Sequence, residues 1–264
     1  MITLDNASNC NTMMRDVEAI LKDKGIAFDS KGNRIRYNLD YLDALRGDVV
    51  SAARQVVTAC RASGQRCEDL SKVIKEGYEL GDWTKEDLRD VTLLHDVVTC
   101  WSSIFLMVNR LLELYLAISR LFQQDKYEDL RKHELSHIQL QVLADIRLYL
   151  AFFHVVQEEV SAQKTPTLSI VLPLYEKLIH HLGLAKDKLP CIAHSIEDSI
   201  GKLNEYLVES WKTQIYALAI ILNPTLKFSW IDEHWLEEDA RAAHSWVCSS
   251  VHRLLLCLGL LCID

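Results

Sequence analysis

A chain of 264 residues, about half of them apolar (49%) and a quarter charged (25%), can bury a proper core as one large domain or two ordinary ones. Four prolines and nine glycines are too few for an all-β design, which needs turn residues at short intervals. The net charge of −8 supplies no bulk attraction to nucleic acid or to an anionic membrane; any DNA contact needs a local basic patch, and only small ones such as Arg34 with Arg36 are visible.

The chain opens with Ile2-Thr3-Leu4, a short β-prone run, followed by capping and turn residues from Asp5 to Asn9. Met13, Met14, Val17, Ile20 and Leu21 mark a helix closed by Gly25. Two short extended pieces, 26–28 and 33–37, flank the turn Ser30-Lys31-Gly32. From Leu42 the helical period takes over, with one apolar stripe through Leu45, Val49, Ala52, Val56 and Cys60 that ends near Ser63-Gly64. A smaller helix is expected over 68–76, stopped by Gly77, and Thr84 with Asp87 resembles a capping arrangement.

The stretch from Asp96 to Phe122 organises the rest. Ile104, Met107, Val108, Leu111, Leu112, Tyr115, Ile118 and Leu121 share one broad helical face, and apolar residues intrude on the other at Phe105, Leu106, Leu114 and Leu116. Such a helix belongs at the centre of a bundle. After a polar break at 123–126, Ser136 with Gln139 forms a capping box for a long helix through Leu143, Leu150 and Val160. Leu168 to Leu182 is helical in period but contains Pro173, which predicts a kink or a delayed start. Pro190 suits a first helical turn. Ile215 to Leu222 is apolar and stopped by Asn223-Pro224, and the Trp-rich tail from Phe228 to Val247 reads as helical. The last apolar run, 254–263, is too short to span a bilayer and reads as a core helix end or a degraded terminus. Eight cysteines without a Cys-x-x-Cys pair, and no signal peptide, predict reduced and mostly buried thiols in an intracellular protein.

Four stretches, ITLDNASNCNTMM (2–14), DVVTCWSSIFLM (96–107), QEEVSAQKTPTLSIVLPLYEKLI (157–179) and IYALAIILNPTLKFSWIDEHW (215–235), resemble the hAT-superfamily DNA transposases, with GNRIR (32–36) and ACRASGQR (59–66) in the same order between them. The resemblance implies a mainly α chain: a small N-terminal α/β remnant of an RNase H-like core over 1–41, then a helical bundle, the insertion region, over 42–264. It also implies that Asp5, leaving the first strand, is one of three carboxylates holding catalytic Mg²⁺; a hard cation suits such a site. A turn or cap aspartate is the reading of Asp5 favoured for this chain. The family's first aspartate lies before this strand and its glutamate beyond Asp264. The family's Cys-x-x-His is absent at 37–40, and its Thr-Arg-Trp reads Thr99-Cys100-Trp101 here. The chain is therefore expected to be an inner fragment of a transposase, inactive alone, that keeps a helical protein- or DNA-binding module. DNA and self-association are the expected interactions, with no membrane, no cofactor in the fragment itself and a nuclear location by resemblance.

The different-class alternative is a zinc-dependent hydrolase, because 133–137 reads His-Glu-Leu-Ser-His. Two histidines one helical turn apart would bind zinc while Glu134 activates water. Ser136 as a helix cap would put a boundary inside the motif, and Glu158 would lie about 30 Å from His137 along one helix. A solvated polar stretch is the favoured reading of that motif. His180, His181 and His194 read as surface residues, and the six tryptophans as core.

Overall fold

A computed structural model describes residues 2–4, 34–36, 39–97, 100–161 and 166–257. The first helix expected from the sequence, over 13–21, lies outside them. Two three-residue strands, β1 (Ile2–Leu4) and β2 (Arg34–Arg36), pair in parallel with Ile2 opposite Arg34 and Leu4 opposite Arg36. All the other regular structure among the described residues is helical. That outcome bears out the mainly α bundle and corrects the family reading. An RNase H-like core is built on a multi-stranded sheet with its carboxylates at strand ends, and two strands of three residues do not make one.

The chain divides into two compact units, 1–148 and 149–264. In the first, α1 (Leu39–Arg46) and α2 (Val49–Arg61) replace the single helix expected over this region. The break falls at Gly47-Asp48, where Asp48 takes a left-handed conformation (φ 49°) and its carboxylate accepts the Ser51 N–H at 3.0 Å. Aspartate tolerates that region because its short polar side chain bonds locally, so it starts a new helix while the apolar period runs on across it.

Helix α3 (Gly64–Leu80) is capped by the Ser63 hydroxyl and ends at Gly81, whose φ of 78° is the left-handed C-terminal turn that glycine permits. It runs straight through Gly77, where a stop is expected from the sequence. The indole of Trp83 lies against the bare glycine: a Cβ there would come within 2.1 Å of Trp83 Cε2 and Cζ2. Gly77 therefore makes room for a ring. Trp83 Nε1 donates to the Ile74 carbonyl at 3.0 Å, and the Arg120 guanidinium stands 5.6 Å from its ring centroid.

The central helix is α4 (Trp101–Phe122), which packs on α2 and α3. Met107, Val108, Leu111, Ile118 and Leu121 are fully buried as the periodicity requires, and so is Leu114, which helical spacing places between Met107 and Leu121 on that same face rather than on the other one. Ile104, Leu112 and Tyr115 are half-buried, while Leu106 and Leu116 are exposed, so one edge of the helix is wet. A 3₁₀ segment (Asp125–His133) turns the chain back against α2 and α4, burying Tyr127 and Leu130. Ser136 and Gln139 then form the expected capping box: Gln139 N–H donates to Ser136 Oγ (3.2 Å), and Ser136 N–H to Gln139 Oε1 (2.8 Å). This box opens α5 (His137–Val160), of which only Val142 and Leu143 are buried. By length and composition α5 is apolar enough to cross a membrane, yet Tyr41 donates a hydrogen bond to Asp145 in its middle.

The second unit contains α6 (Leu168–Lys186), α7 (Ala193–Trp211), α8 (Gln214–Leu222), α9 (Lys227–His234) and α10 (Glu237–Cys257). Pro173 sits inside α6, and Pro190 begins a short 3₁₀ turn that leads into α7. The short apolar α8 packs against the other four helices, which is why a nine-residue helix has so few polar side chains. Leu172, Ala217, Ile220, Ile231, Trp235 and Ala243 form its core. Of the tryptophans with described burial, Trp235 is buried and Trp83, Trp211, Trp230 and Trp246 are half-buried, so the core expectation holds for one. Likewise Cys60 is buried among the free thiols, while Cys248 and Cys257 are exposed.

Candidate anion-binding groove

In the first unit, one face of α2 and the end of the 3₁₀ segment enclose an open groove of about 410 Å³, with Arg66 at its side. Ser51, Gln55 and Thr58 follow one another along α2 at helical spacing, so polar groups line that wall for roughly 10 Å. The opposite wall carries Asp129, Lys132 and His133.

The basic residues of the groove differ in how they are held. Arg54 is locked: its Nε and Nη2 donate to both oxygens of Asp96 at 2.9 and 2.7 Å, and the Asp96 side chain is 2% exposed. The hydrogen bonds from Arg54 hold the Asp96 carboxyl below the usual carboxylate range, against a smaller opposing effect of burial. Arg66 is held more loosely. Its Nη1 donates to the Ala59 carbonyl (2.9 Å), and its Nη2 makes one 3.2 Å contact to Asp129, whose side chain is 62% exposed. Among the described residues no carboxylate pairs with Lys132 or His133. With Arg54 matched by Asp96 and Arg66 by Asp129, the groove keeps the Lys132 charge in excess.

Outside the groove lining, a partly buried polar cluster gathers around Asp69 and holds the ring of Tyr127 near Arg66. Asp69 accepts hydrogen bonds from Lys126, from the Tyr127 hydroxyl and from Gln65 Nε2 (2.8 Å). The Lys126 hydrogen bond is the largest influence holding the Asp69 carboxyl well below its ordinary range. The Tyr127 ring so held lies 6.0 Å from the Arg66 guanidinium, at the edge of cation–π range. Nearby, a small cavity of about 130 Å³ is lined by Cys60 and Cys67. Burial pushes the Cys60 thiol up to about 12, so it is not a nucleophile at neutral pH.

Asp5, with its neighbours Asn6 and Ser8, lies outside the described residues. The zinc-hydrolase motif is taken apart by the fold. His133 ends the 3₁₀ segment, Glu134 is extended and accepts from Ser119 Oγ at 3.0 Å, and His137 is the first residue of α5. The two histidines are not on one helix, Glu158 belongs to α5 some 30 Å further along, and no cluster of three metal-ligating side chains occurs among the described residues. The hydrolase alternative is corrected accordingly. His180, His181 and His194 are exposed as expected, with His194 Nε2 3.7 Å from Asp198.

Sequence reasoning missed the groove. Arg54 and Asp96 are 42 positions apart and Arg66 and Asp129 63 apart, and nothing local announces either pair. The one available signal is the run Arg131-Lys132-His133, which stands out in an acidic chain.

No protein-family model matches the chain, and no solved structure matches it. Over 196 residues it is 25% identical to zinc finger BED domain-containing protein 4 of Homo sapiens. The match covers 72% of this chain and 16% of that protein, so the chain is similar to a small part of a much longer relative. Neither the fold nor these comparisons support membership of the hAT transposases, and the transposase reading is withdrawn.

Proposed function

We propose that this chain is a helical nucleic-acid-binding module that holds the phosphate backbone in the groove between α2 and the 3₁₀ segment. The observation that carries the reading is Lys132, a lysine of that groove that no described carboxylate neutralises, beside His133 and opposite a row of hydrogen-bonding side chains. The groove is open, and although Ala59, Ala62 and Leu130 also line it, Ser51, Gln55, Thr58 and Lys132 give it hydrogen-bonding and cationic groups along its length, which suits an extended polyanion. The similarity to part of a protein named for a BED zinc finger agrees with this partner. A nuclear location goes with this reading.

The contact is small and independent of base sequence. On duplex DNA the slope of log K against log salt is about −0.9 per phosphate neutralised, so one to two contacts give a slope between about −1 and −2. The net charge of −8 opposes approach, and binding is confined to low ionic strength. Fluorescence anisotropy of a labelled duplex across a salt series tests this. Lys132→Ala should weaken binding alike on unrelated sequences and reduce the slope by about 1. Binding that ignores salt, or is unchanged by Lys132→Ala, would overturn the reading.

A further inference from the structure

Arg54 and Arg66 face the same groove, yet one is held by two short hydrogen bonds to a covered carboxylate and the other by one longer contact to an exposed one. Asp96 grips Arg54 with both oxygens of a side chain that is 2% exposed, so a ligand taking its place must break two short charge-assisted hydrogen bonds at once. Asp129 touches Arg66 through a single oxygen at 3.2 Å, from a side chain that is 62% exposed and free to swing into water. The guanidinium itself stays put when Asp129 leaves, because Nη1 is anchored on the Ala59 carbonyl and the ring of Tyr127 stands beside it. What remains is a positioned donor on the groove, satisfied for the moment by an oxygen of the protein's own.

On the reading of the groove given above, we infer that Asp129 is an internal stand-in for phosphate: it occupies Arg66 in the free protein and is displaced when a backbone phosphate enters the groove. A phosphate oxygen is the same kind of acceptor as the Asp129 carboxylate, and a phosphodiester brings two of them for the planar guanidinium. Asp129 thus acts as a built-in competitor that keeps affinity low. It also neutralises Arg66 while the groove is empty, so the free protein carries less exposed positive charge there.

The test is a double-mutant cycle on the full chain, read as duplex affinity at fixed low salt. Asp129→Asn should bind about two- to fivefold more tightly, the range expected when an exposed ion pair is no longer competed away. Glu128→Gln removes the same charge from an exposed neighbour outside the groove, and should change affinity much less. In an Arg66→Gln background, with folding checked by circular dichroism, the gain from Asp129→Asn should vanish, because the released donor is gone. Equal gains from Asp129→Asn and Glu128→Gln, or a gain that survives Arg66→Gln, would refute the stand-in and reduce the effect to net charge. Failure of the groove itself looks different: Lys132→Ala would then leave duplex binding unchanged, whatever residue 129 does.

Discussion

Gly77→Ala sets two known effects against each other. Replacing glycine by alanine inside a helix usually stabilises it by about 1 kcal/mol, through the entropy of the unfolded chain and helix propensity. At position 77 the new methyl would meet Trp83 Cε2 and Cζ2 at 2.1 Å and Nε1 at 2.6 Å, where ordinary contact needs about 3.4 Å or more. The indole must retreat by more than an ångström, and its 3.0 Å hydrogen bond to the Ile74 carbonyl is lost or bent. Overpacking of this kind costs about 1–3 kcal/mol, and the hydrogen bond adds about 0.5–1.5 kcal/mol. Sterics win, and the net expectation is a loss of about 1–3 kcal/mol. Gly201→Ala is the internal control: it lies inside α7 with nothing within 4 Å of the added carbon, and should be neutral or stabilising by up to about 1 kcal/mol. Urea unfolding followed by circular dichroism measures both. If Gly77→Ala matches Gly201→Ala, the Trp83 ring does not lie on α3 and the account of that glycine is wrong.

Leu111 is fully buried at the centre of α4, so Leu111→Ala should cost about 2–5 kcal/mol in the same assay, whereas Leu116→Ala, on the wet edge of that helix, should stay within about 0.5 kcal/mol. Acid should unfold the first unit in a defined window. The Asp96 and Glu113 carboxyls are held below their ordinary range chiefly by hydrogen bonds from Arg54 and Arg89. Their folded values lie below the unfolded ones of about 3.9 and 4.3, so their contribution is complete above those values and is lost as pH falls through the folded ones. Stability should be flat with respect to these groups above about pH 5 and should fall below about pH 4. Asp96→Asn should flatten that acid limb and cost about 1–3 kcal/mol at neutral pH, by leaving Arg54 without its carboxylate; an unchanged acid limb would mean that Asp96 is not a paired carboxylate in solution.

Much of the helical layout was legible from the residues alone, for a physical reason. Helix ends are set by neighbours a few positions apart. Ser136 with Gln139, Pro190 at a first turn and Asn223-Pro224 at a last one each satisfy or forbid particular backbone hydrogen bonds, and each does so in the structure. The buried face of α4 followed in the same way from a 3.6-residue period. Where a second element intervened, local reasoning failed. Gly77 carries the sequence mark of a helix stop, and only the indole of Trp83 lying against it explains why the helix continues. Leu114 was assigned to the wrong face although its spacing of three from Leu111 and four from Ile118 puts it on the buried one, so here the period itself was misread. The His-Glu-Leu-Ser-His motif had the right letters but was split between a 3₁₀ segment and α5. The groove belongs wholly to the tertiary structure. Its ion pairs join positions 42 and 63 residues apart, and charge pairing at that separation is decided by how helices pack, which no local pattern encodes.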